Sequence, residues 1–239
     1  MAPTSKTTHL KNGLIAGLPV LFGYVPVGIA FAIVARQAGF NVLETCSFSL
    51  FVFAGSSQMM AAGMFVQGAG IASIVIATFI LNLRHFIMSA CVLNRMQDAP
   101  LWQKLLAMFG NTDESFAIFT TEKEENCTLP YFVGVALSTY GIWNVSTLLG
   151  ALALDFLPEI VLASTGIAIY ALFISLLTPK LVGNWRLAAL ALMTGLCNLL
   201  LGRFMASSWA LIVSTLLCAF IGVFFVDEAE TAKEGKDEN

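Results

Sequence analysis

The stretch that decides the fold is TCSFSLFVFAGSSQMMAAGMFVQGAGIASIVIATFILNL, residues 45–83, which runs for 39 residues without a charged side chain. A transmembrane helix needs about 20 consecutive apolar residues. The run therefore fits two membrane crossings joined by a tight turn. It contains the polar stretch Gly55-Ser56-Ser57-Gln58, and Arg84-His85 follows it directly. Polar groups at this depth in a membrane are typical of a transport site.

The whole chain has the composition of an integral membrane protein. Of its 239 residues, 58% are hydrophobic and 11% are charged, and the mean hydropathy is +0.83. Soluble domains carry roughly 25% charged residues. The net charge is only −3, and the chain has no basic stripe of the kind that binds nucleic acid. We therefore predict an all-α, polytopic integral membrane helical bundle that lies in a lipid bilayer and binds no nucleic acid.

Eight apolar segments can be drawn along the chain, so we predict about eight transmembrane helices. In order, they are residues 13–35, 45–66, 70–93, 101–121, 129–154, 160–178, 187–201 and 208–226. The fourth segment, residues 101–121, is the weakest because it contains Asp113 and Glu114. If this segment does not cross the membrane, the count is seven. In both arrangements the positive-inside rule places the C-terminus in the cytoplasm. Residues 1–12 are predicted to be a cytoplasmic segment, and the acidic residues 227–239 a disordered tail.

A weak internal sequence similarity predicts a duplicated architecture. The matching stretches are offset by 87 and 86 residues: residues 22–33 with 109–119, and residues 55–58 with 141–144. This similarity indicates two three-helix units, residues 13–93 and residues 101–178. An odd number of crossings per unit makes the two units inverted repeats, which is the plan of many secondary transporters. Residues 187–226 would then form an added C-terminal helical hairpin.

The first apolar segment carries the residues that break helices. Pro19 and Pro26 each remove an intrahelical hydrogen bond, and Gly23 lies between them. This pattern predicts an unwound or kinked helix whose exposed N–H groups meet a substrate carboxylate. An ordinary proline kink that serves helix packing is the alternative. Gly13 and Gly17 form a GxxxG pattern, which is typical of close helix packing.

Two amide side chains lie inside predicted membrane helices. Gln58 is midway along the second segment, and Asn144 is at the equivalent position of the fifth segment in the internal similarity. An amide both donates and accepts hydrogen bonds, which suits a zwitterionic ligand. Hydrogen bonding between helices is the alternative role for such residues. We treat both as candidate substrate-binding residues.

Charged residues lie near the middle of the third and fourth segments. Arg84 is costly at this depth unless it faces the bundle or is paired, and its candidate partners are Asp113, Glu114 or a substrate carboxylate. Asn82 and Arg84 are therefore candidate substrate-binding residues. Asp113, Glu114 and His85 are candidates for proton coupling, since histidine titrates near neutral pH. The alternative places Arg84 at the membrane interface and the two acids in a surface loop.

No motif in the chain indicates catalysis, a metal or a cofactor. The five cysteines are scattered without metal-ligand spacing, and their odd number argues against a full disulfide framework. Ser56, Ser57 and His85 invite comparison with a serine hydrolase, but no Gly-x-Ser-x-Gly nucleophile motif is present. We therefore predict that the chain is not an enzyme and has no catalytic residue, metal site or cofactor.

With these residues in view, the chain resembles the AzlC family, the large subunit of branched-chain amino-acid exporters. The resemblance covers roughly residues 10 to 225. The motifs that carry it occur in the family's order and spacing: Gly17-Leu18-Pro19, Pro26-Val27-Gly28, Phe53-Ala54-Gly55-Ser56-Ser57-Gln58, Leu81-Asn82-Leu83-Arg84-His85 and Thr112-Asp113-Glu114-Ser115-Phe116.

The resemblance implies a multi-pass permease that exports valine, leucine and isoleucine across the cytoplasmic (inner) membrane of a bacterium. It also implies a separately encoded, small membrane partner subunit of the AzlD type. Backbone N–H groups near Pro19 and Pro26, with Arg84 or Gln58, would hold the substrate carboxylate, and a proton gradient would drive transport. A carrier of another small neutral metabolite is one alternative. A channel-like or scaffolding membrane subunit without its own substrate site is the other.

Overall fold

The structure is a computed structural model that describes residues 6–96, 99–154, 174, 178, 181–182, 184–205 and 207–225. Within these residues the chain forms helices and no strands, so the predicted fold class, an all-α membrane bundle, is confirmed. Several sequence predictions fall outside the described residues. They concern residues 1–5 of the N-terminal segment, most of the sixth apolar segment (residues 160–178) and the acidic tail (residues 227–239).

From the first helix to the eighth, the helices follow one another with short connections. The α-helices of the described residues are α1 (Lys6–Gly17), α2 (Leu21–Gln37), α3 (Val42–Phe51), α4 (Gly55–Val66), α5 (Ile71–Arg95), α6 (Leu101–Ala107), α7 (Asp113–Thr121), α8 (Leu129–Ala153), α9 (Trp185–Leu201) and α10 (Ser207–Phe225). Three 3-10 turns lie between them: Leu18–Val20, Met108–Gly110 and Glu124–Asn126.

Three helical stretches among the described residues are long and apolar enough to cross a membrane, judged by length and composition: Lys6–Gln37, Ile71–Arg95 and Leu129–Ala153. They coincide with the first, third and fifth predicted segments. The second and fourth segments are also helical, but each is interrupted in its middle. Residues 52–54 separate α3 from α4, and residues 111–112 precede α7. The proposed inverted repeats stay a prediction.

The chain divides into two compact units. The first consists of Met1–Gly68 and Thr78–Ala168, and the second of Ala69–Ala77 and Ile169–Asn239. In the second unit α9 and α10 pack against each other as a helical hairpin. Their close approach is visible at Gly222, where an added Cβ would lie 2.8 Å from Cδ2 of Leu190.

Helix α8 is the centre of the first unit, with α1, α2, α3, α6 and α7 packed around it. Small residues allow the closest approaches. A Cβ added at Gly13 would lie 2.0 Å from the carbonyl oxygen of Tyr131, and one added at Gly17 would lie 1.9 Å from Oγ of Ser138. Because real Cβ atoms do not approach other atoms this closely, no larger residue fits there without a shift. The packing role predicted for the GxxxG pattern is therefore confirmed.

The ends of α2 and α3 follow from local sequence. After α2, Gly39 takes a φ of +97°, and the N–H of Phe40 donates to the carbonyl of Ala35, as in a Schellman turn. Asn41 then caps α3 in a capping box with Glu44, in which each side chain accepts a hydrogen bond from the other residue's N–H. This tight connection returns the chain into the bundle and leads directly to the first interrupted helix.

Candidate functional site

The first interruption separates α3 from α4. Helix ends leave carbonyl and N–H groups without intrahelical partners, and such groups are tolerated in lipid only where protein or a cavity satisfies them. Tyr140 of α8 donates a 2.8 Å hydrogen bond to the carbonyl of Leu50 in the last turn of α3. Phe53, in the middle of the interruption, is buried with its ring edge-on to those of Tyr24 and Tyr140. We infer that this aromatic packing stabilises the break, since residues 52–54 contain neither proline nor glycine.

The second interruption precedes α7. Thr112 caps this helix, accepting from the N–H of Ser115, and the Ser115 hydroxyl in turn accepts from the N–H of Thr112. The same hydroxyl lies 2.8 Å from the carbonyl of Gly110, which ends the preceding 3-10 turn. Asn111 is 2% exposed, and its Nδ2 donates to the hydroxyl of Ser89 on α5. The N–H groups of Thr112 and Ser115 and the carbonyl of Gly110 are thus satisfied within the protein.

Tyr24 of α2 connects the two interruptions. Its hydroxyl lies 2.6 Å from Oε2 of Glu114 and 2.9 Å from Oγ1 of Thr112, both at the start of α7. Its ring is edge-on to Phe53, at 6.3 Å between centroids, and to Trp143 of α8, at 5.3 Å. One buried side chain therefore contacts the break before α4 and the break before α7.

Arg84 of α5 lies between the N-termini of α4 and α7. Its Nη1 is 2.9 Å from Oδ2 of Asp113, and its Nη2 is 3.5 Å from the hydroxyl of Ser56. The side chains of Arg84 and Asp113 are 38% and 49% exposed. The N-terminus of a helix carries a partial positive charge, which favours the carboxylates of Asp113 and Glu114 in the first turn of α7. Arg84 also reaches the first turn of α4, which has no side-chain cap.

A second residue of α5 reaches the first turn of α4. The Nδ2 of Asn82 donates to the hydroxyl of Ser57 at 3.2 Å, and that hydroxyl donates to the carbonyl of Ala54 at 2.9 Å. Because Ser57 donates its only hydroxyl proton to the carbonyl of Ala54, its oxygen can only accept a hydrogen bond from Asn82. This fixes the amide orientation and leaves the Asn82 oxygen pointing elsewhere.

Gln58 belongs to a fully buried polar network. Its Nε2 donates to the hydroxyl of Ser49 on α3 at 3.0 Å, and this hydroxyl is 2.8 Å from that of Thr147 on α8. All three residues have 0% exposure. A polar side chain buried at this depth must be hydrogen-bonded to avoid a cost of about 1–3 kcal/mol, and the network joins α4 to α3 and α8.

Trp143 covers the start of α4. It is 2% exposed, and its ring lies so close to Gly55 that an added Cβ would be 2.5 Å from Cη2. A residue larger than glycine would therefore displace the ring. The first turn of α4 has no side-chain cap, and the indole is the group that closes over it.

The side chains that lie around the two breaks form one polar cluster. Five of them carry a buried polar atom that has no hydrogen-bond partner among the described residues. Three are acceptors and two are N–H donors: Gln58 Oε1, Asn82 Oδ1, Asn111 Oδ1, Arg84 Nε and Trp143 Nε1. Buried polar groups in proteins are nearly always hydrogen-bonded, so each such atom needs an explanation. Bound water, or a polar ligand with both acceptor and donor groups, would supply the missing partners.

The structure brings together five residues predicted from sequence: Gln58, Asn82, Arg84, Asp113 and Glu114. His85 is half-buried next to Arg84 and lies within electrostatic range of Asp113 and Glu114.

Four other predicted residues are not part of this cluster. Pro19, Gly23 and Pro26 lie on the exposed face of the first segment. The expected unwinding there is limited to the 3-10 turn Leu18–Val20, and α2 continues through Pro26 as a helix. The interrupted backbone is found in the second and fourth segments instead. Asn144 donates to the carbonyl of Tyr140, one turn earlier in its own helix.

Sequence reasoning missed Tyr24, Ser49 and Thr147. A signal existed for Tyr24, because a tyrosine in an apolar segment needs a partner for its hydroxyl when it is buried. No local signal existed for Ser49 and Thr147, which are 98 residues apart in sequence. Among the described residues, no group of three or more His, Cys, Asp or Glu side chains is placed to hold a metal ion.

The chain was compared with known proteins. The family model for the AzlC protein matches residues 19–157, more than half of the chain, and this region includes both interruptions. An uncharacterized membrane protein of Archaeoglobus fulgidus is 32% identical over 193 residues, which cover 80% of this chain and 84% of that protein. The inner membrane protein YgaZ of Escherichia coli is 29% identical over 201 residues, 81% of each chain.

A third relative has a name that states a transported substrate. The branched-chain amino acid transport protein AzlC of Bacillus subtilis is 26% identical over 137 residues, 56% of this chain and 54% of that protein. No solved structure matches the chain. The family model and the archaeal relative, together with the membrane-spanning helices, establish that this membrane protein belongs to the AzlC family.

Proposed function

We propose that this chain is a secondary transporter that exports branched-chain amino acids, namely valine, leucine and isoleucine, across the cytoplasmic membrane of a bacterium. The Bacillus subtilis relative, which is named a branched-chain amino acid transport protein, supports the substrate class. Interrupted helices that meet inside a membrane bundle also support transport, because many secondary transporters bind their substrates at such breaks.

One observation carries the proposal: the unpartnered buried atoms of the cluster match a zwitterion. The amide oxygens of Gln58, Asn82 and Asn111 are acceptors, which suit the ammonium group of an amino acid. The N–H groups of Arg84 and Trp143 are donors, which suit its carboxylate. The α-carboxylate would bind near Arg84 and the uncapped first turn of α4, where the local field favours an anion.

An apolar cavity next to the second break would receive the aliphatic side chain. Its volume is about 270 Å³, and its lining comes from α6, the following 3-10 turn and α8, including Phe109, Gly110, Ala136 and Tyr140. Tyr140, which lines this cavity, also contacts Phe53 in the first break, and Gly110 precedes Asn111 in the chain. An apolar pocket beside a few polar groups is the usual form of a small-molecule site.

Three further features complete the proposal. Transport is coupled to protons, with Asp113, Glu114 and His85 as the candidate carriers. A small membrane subunit of the AzlD type is the partner, and the C-terminus lies in the cytoplasm. The ionisable groups beside the breaks support the proton coupling, and the family relationship supports the partner. The orientation is supported by the positive-inside rule.

The test is counterflow of labelled leucine into proteoliposomes preloaded with unlabelled leucine, prepared from this chain alone and together with its small partner. Saturable counterflow in either preparation supports a carrier, and competition by valine and isoleucine supports the substrate class. Counterflow driven only by a different neutral metabolite would show that this metabolite, and not a branched-chain amino acid, is the transported substrate. Uptake that neither saturates nor shows counterflow, from folded protein, would support the channel-like or scaffolding alternative.

A further inference from the structure

The hydrogen bond between Tyr24 and Glu114 joins a buried tyrosine to a carboxylate at the start of α7. Their oxygens are 2.6 Å apart, which is the separation of a charge-assisted O–H···O⁻ bond. Tyr24 is 7% exposed. The second oxygen near its hydroxyl, Oγ1 of Thr112, lies at 2.9 Å. A tyrosine hydroxyl has one proton and can donate it to only one of these two acceptors at a time.

The acceptor that Tyr24 uses therefore depends on the protonation of Glu114. When Glu114 is ionised, it is the stronger acceptor and takes the tyrosine proton. When Glu114 binds a proton from water, its charge is lost, and the Tyr24 hydroxyl is free to donate to Thr112, the cap of α7. No proton leaves Tyr24 in this exchange, because it keeps its own proton and changes only the acceptor.

The charged groups around Glu114 separate its role from that of its neighbour. Asp113, on the same helix, is already paired with Arg84 of α5 at 2.9 Å. His85 of α5 lies within electrostatic range of both acids. Glu114 accepts a hydrogen bond from the neutral hydroxyl of Tyr24 on α2. Neutralising Glu114 therefore leaves the Arg84 ion pair intact, whereas neutralising Asp113 would leave Arg84 without its counter-charge.

Tyr24 also contacts the other side of the site. Its ring packs edge-on against Phe53, in the break before α4, and against Trp143, which covers the first turn of α4 at Gly55. The Tyr24 ring thus touches both interruptions, and a shift of the ring that accompanies a change of acceptor would reach both of them. Packed side chains with two discrete arrangements are the physical means by which sites are coupled.

We propose that Glu114 binds the transported proton and that Tyr24 is the positioning residue that couples its protonation to the amino-acid site at the two helix breaks. The inference rests on the proposed transport function and deepens it, since it selects one of three candidate carriers and adds a residue that sequence reasoning missed. In this arrangement Asp113 serves as the counter-ion of Arg84.

The first test compares pH-driven leucine transport with leucine counterflow in Tyr24→Phe and Glu114→Gln. Both substitutions keep the size of the side chain and remove one partner of the hydrogen bond. We expect the ratio of pH-driven transport to counterflow to fall to its value without a pH gradient. Tyr131→Phe is the matched control, because the Tyr131 hydroxyl also donates to a glutamate, Glu122, at 2.7 Å. The control should keep the wild-type ratio, and full pH-driven transport by Tyr24→Phe would overturn the proposal.

The second test needs no substrate and so remains decisive if the proposed cargo is wrong. Replacing Trp102, Trp185 and Trp209 with Phe leaves Trp143 as the sole tryptophan. Its fluorescence in the detergent-solubilised protein should change with pH, and the change should be lost in Tyr24→Phe and Glu114→Gln but kept in Asp113→Asn. A pH response that survives Glu114→Gln, or no response in the parent protein, would overturn the role of Glu114. Size-exclusion profiles confirm that each variant is folded.

Discussion

Arg84 of α5 and Asp113, the first residue of α7, form an ion pair with 2.9 Å between Nη1 and Oδ2, and the same guanidinium reaches Ser56 in the first turn of α4. One cation thus lies between the N-termini of two interrupted helices. A charged side chain inside a membrane bundle needs a partner, and both members of this pair are partly exposed and thus accessible to a ligand. We therefore interpret the pair as part of the substrate site, in which the ligand carboxylate competes with Asp113 for Arg84.

This competition predicts opposite effects of two substitutions on leucine affinity. Arg84→Ala removes the partner of the carboxylate and should weaken binding about tenfold to a hundredfold, since a hydrogen bond to a charged group contributes about 1.5–3 kcal/mol. Asp113→Asn removes the competing anion and should tighten binding. Isothermal titration with leucine in detergent measures both. Equal weakening in the two variants would instead show that the pair acts as a structural unit.

The contact between Gly55 and Trp143 predicts that the single added methyl group of Gly55→Ala destabilises the protein. Gly55→Ala places a Cβ 2.5 Å from the buried indole ring, so we expect a loss of about 1–3 kcal/mol of unfolding free energy and of leucine counterflow. Gly63→Ala, two turns later in α4, meets no atom within 4 Å. It should be neutral or stabilising by up to about 1 kcal/mol, because alanine favours helix.

The two variants can be compared by thermal unfolding in the same detergent. Equal stability of Gly55→Ala and Gly63→Ala would argue against the close packing of the indole on α4. A Gly55→Ala/Trp143→Phe double variant adds a check, because the smaller ring relieves the clash and should recover part of the lost stability.

The arrangement of acceptors and donors predicts that both charged ends of the substrate are needed. Leucinamide lacks the carboxylate and 4-methyl-2-oxopentanoate lacks the ammonium group, so each leaves buried polar atoms of the site without partners. We expect each to compete with labelled leucine at least about tenfold more weakly than unlabelled leucine, since an unpaired buried group costs about 1–3 kcal/mol. Competition by the keto acid as strong as that by leucine would show that the amide oxygens of Gln58, Asn82 and Asn111 do not bind the ammonium group of the substrate.

A pH effect on stability is expected at the turn between α7 and α8, outside the membrane-spanning helices. The side chain of Asn126 donates to Glu122, Tyr131 donates to it as well, and together they lower the pKa of its carboxyl. A carboxyl whose pKa is lower in the folded state stabilises the fold above its unfolded pKa, roughly 4.3. This contribution is lost as the pH falls through the folded pKa.

Glu122→Gln should therefore lower the Tm at neutral pH, and the difference from wild type should shrink as the solution is acidified through the glutamate range. Glu125→Gln, at an exposed position of the same turn, is the control and should follow the wild-type Tm throughout. A constant offset of Glu122→Gln at every pH would mean that the side chain acts by packing rather than by charge.

Much of the fold follows from the sequence because lipid imposes simple rules on it. The uncharged run at residues 45–83 predicted helices, and the structure has α3, α4 and most of α5 there. What local rules could not predict is where the helices stop. Pro19 and Pro26 suggested a break in the first segment, yet α2 runs through Pro26 on an exposed face.

The actual breaks are stabilised by contacts that are distant in sequence. Phe53 is fixed between the rings of Tyr24 and Tyr140, which are far from it along the chain. The residues of the candidate site also fall into those that local sequence predicts and those that depend on contacts distant in sequence. Charged residues such as Arg84 and Asp113 were recognisable because a charge in lipid needs a partner, whereas Tyr24 is important only because α2 places it between two breaks.

The location of the substrate between the two interrupted helices is tested most directly at Ser56, which is exposed in the first turn of α4. In a variant whose five native cysteines are replaced by serine or alanine, Ser56→Cys would be labelled with a water-soluble thiol reagent in the presence and absence of leucine. We expect leucine to slow the labelling in proportion to its occupancy of the site, and lysine to have no effect. Labelling at the same rate with and without saturating leucine would contradict a substrate site at this position.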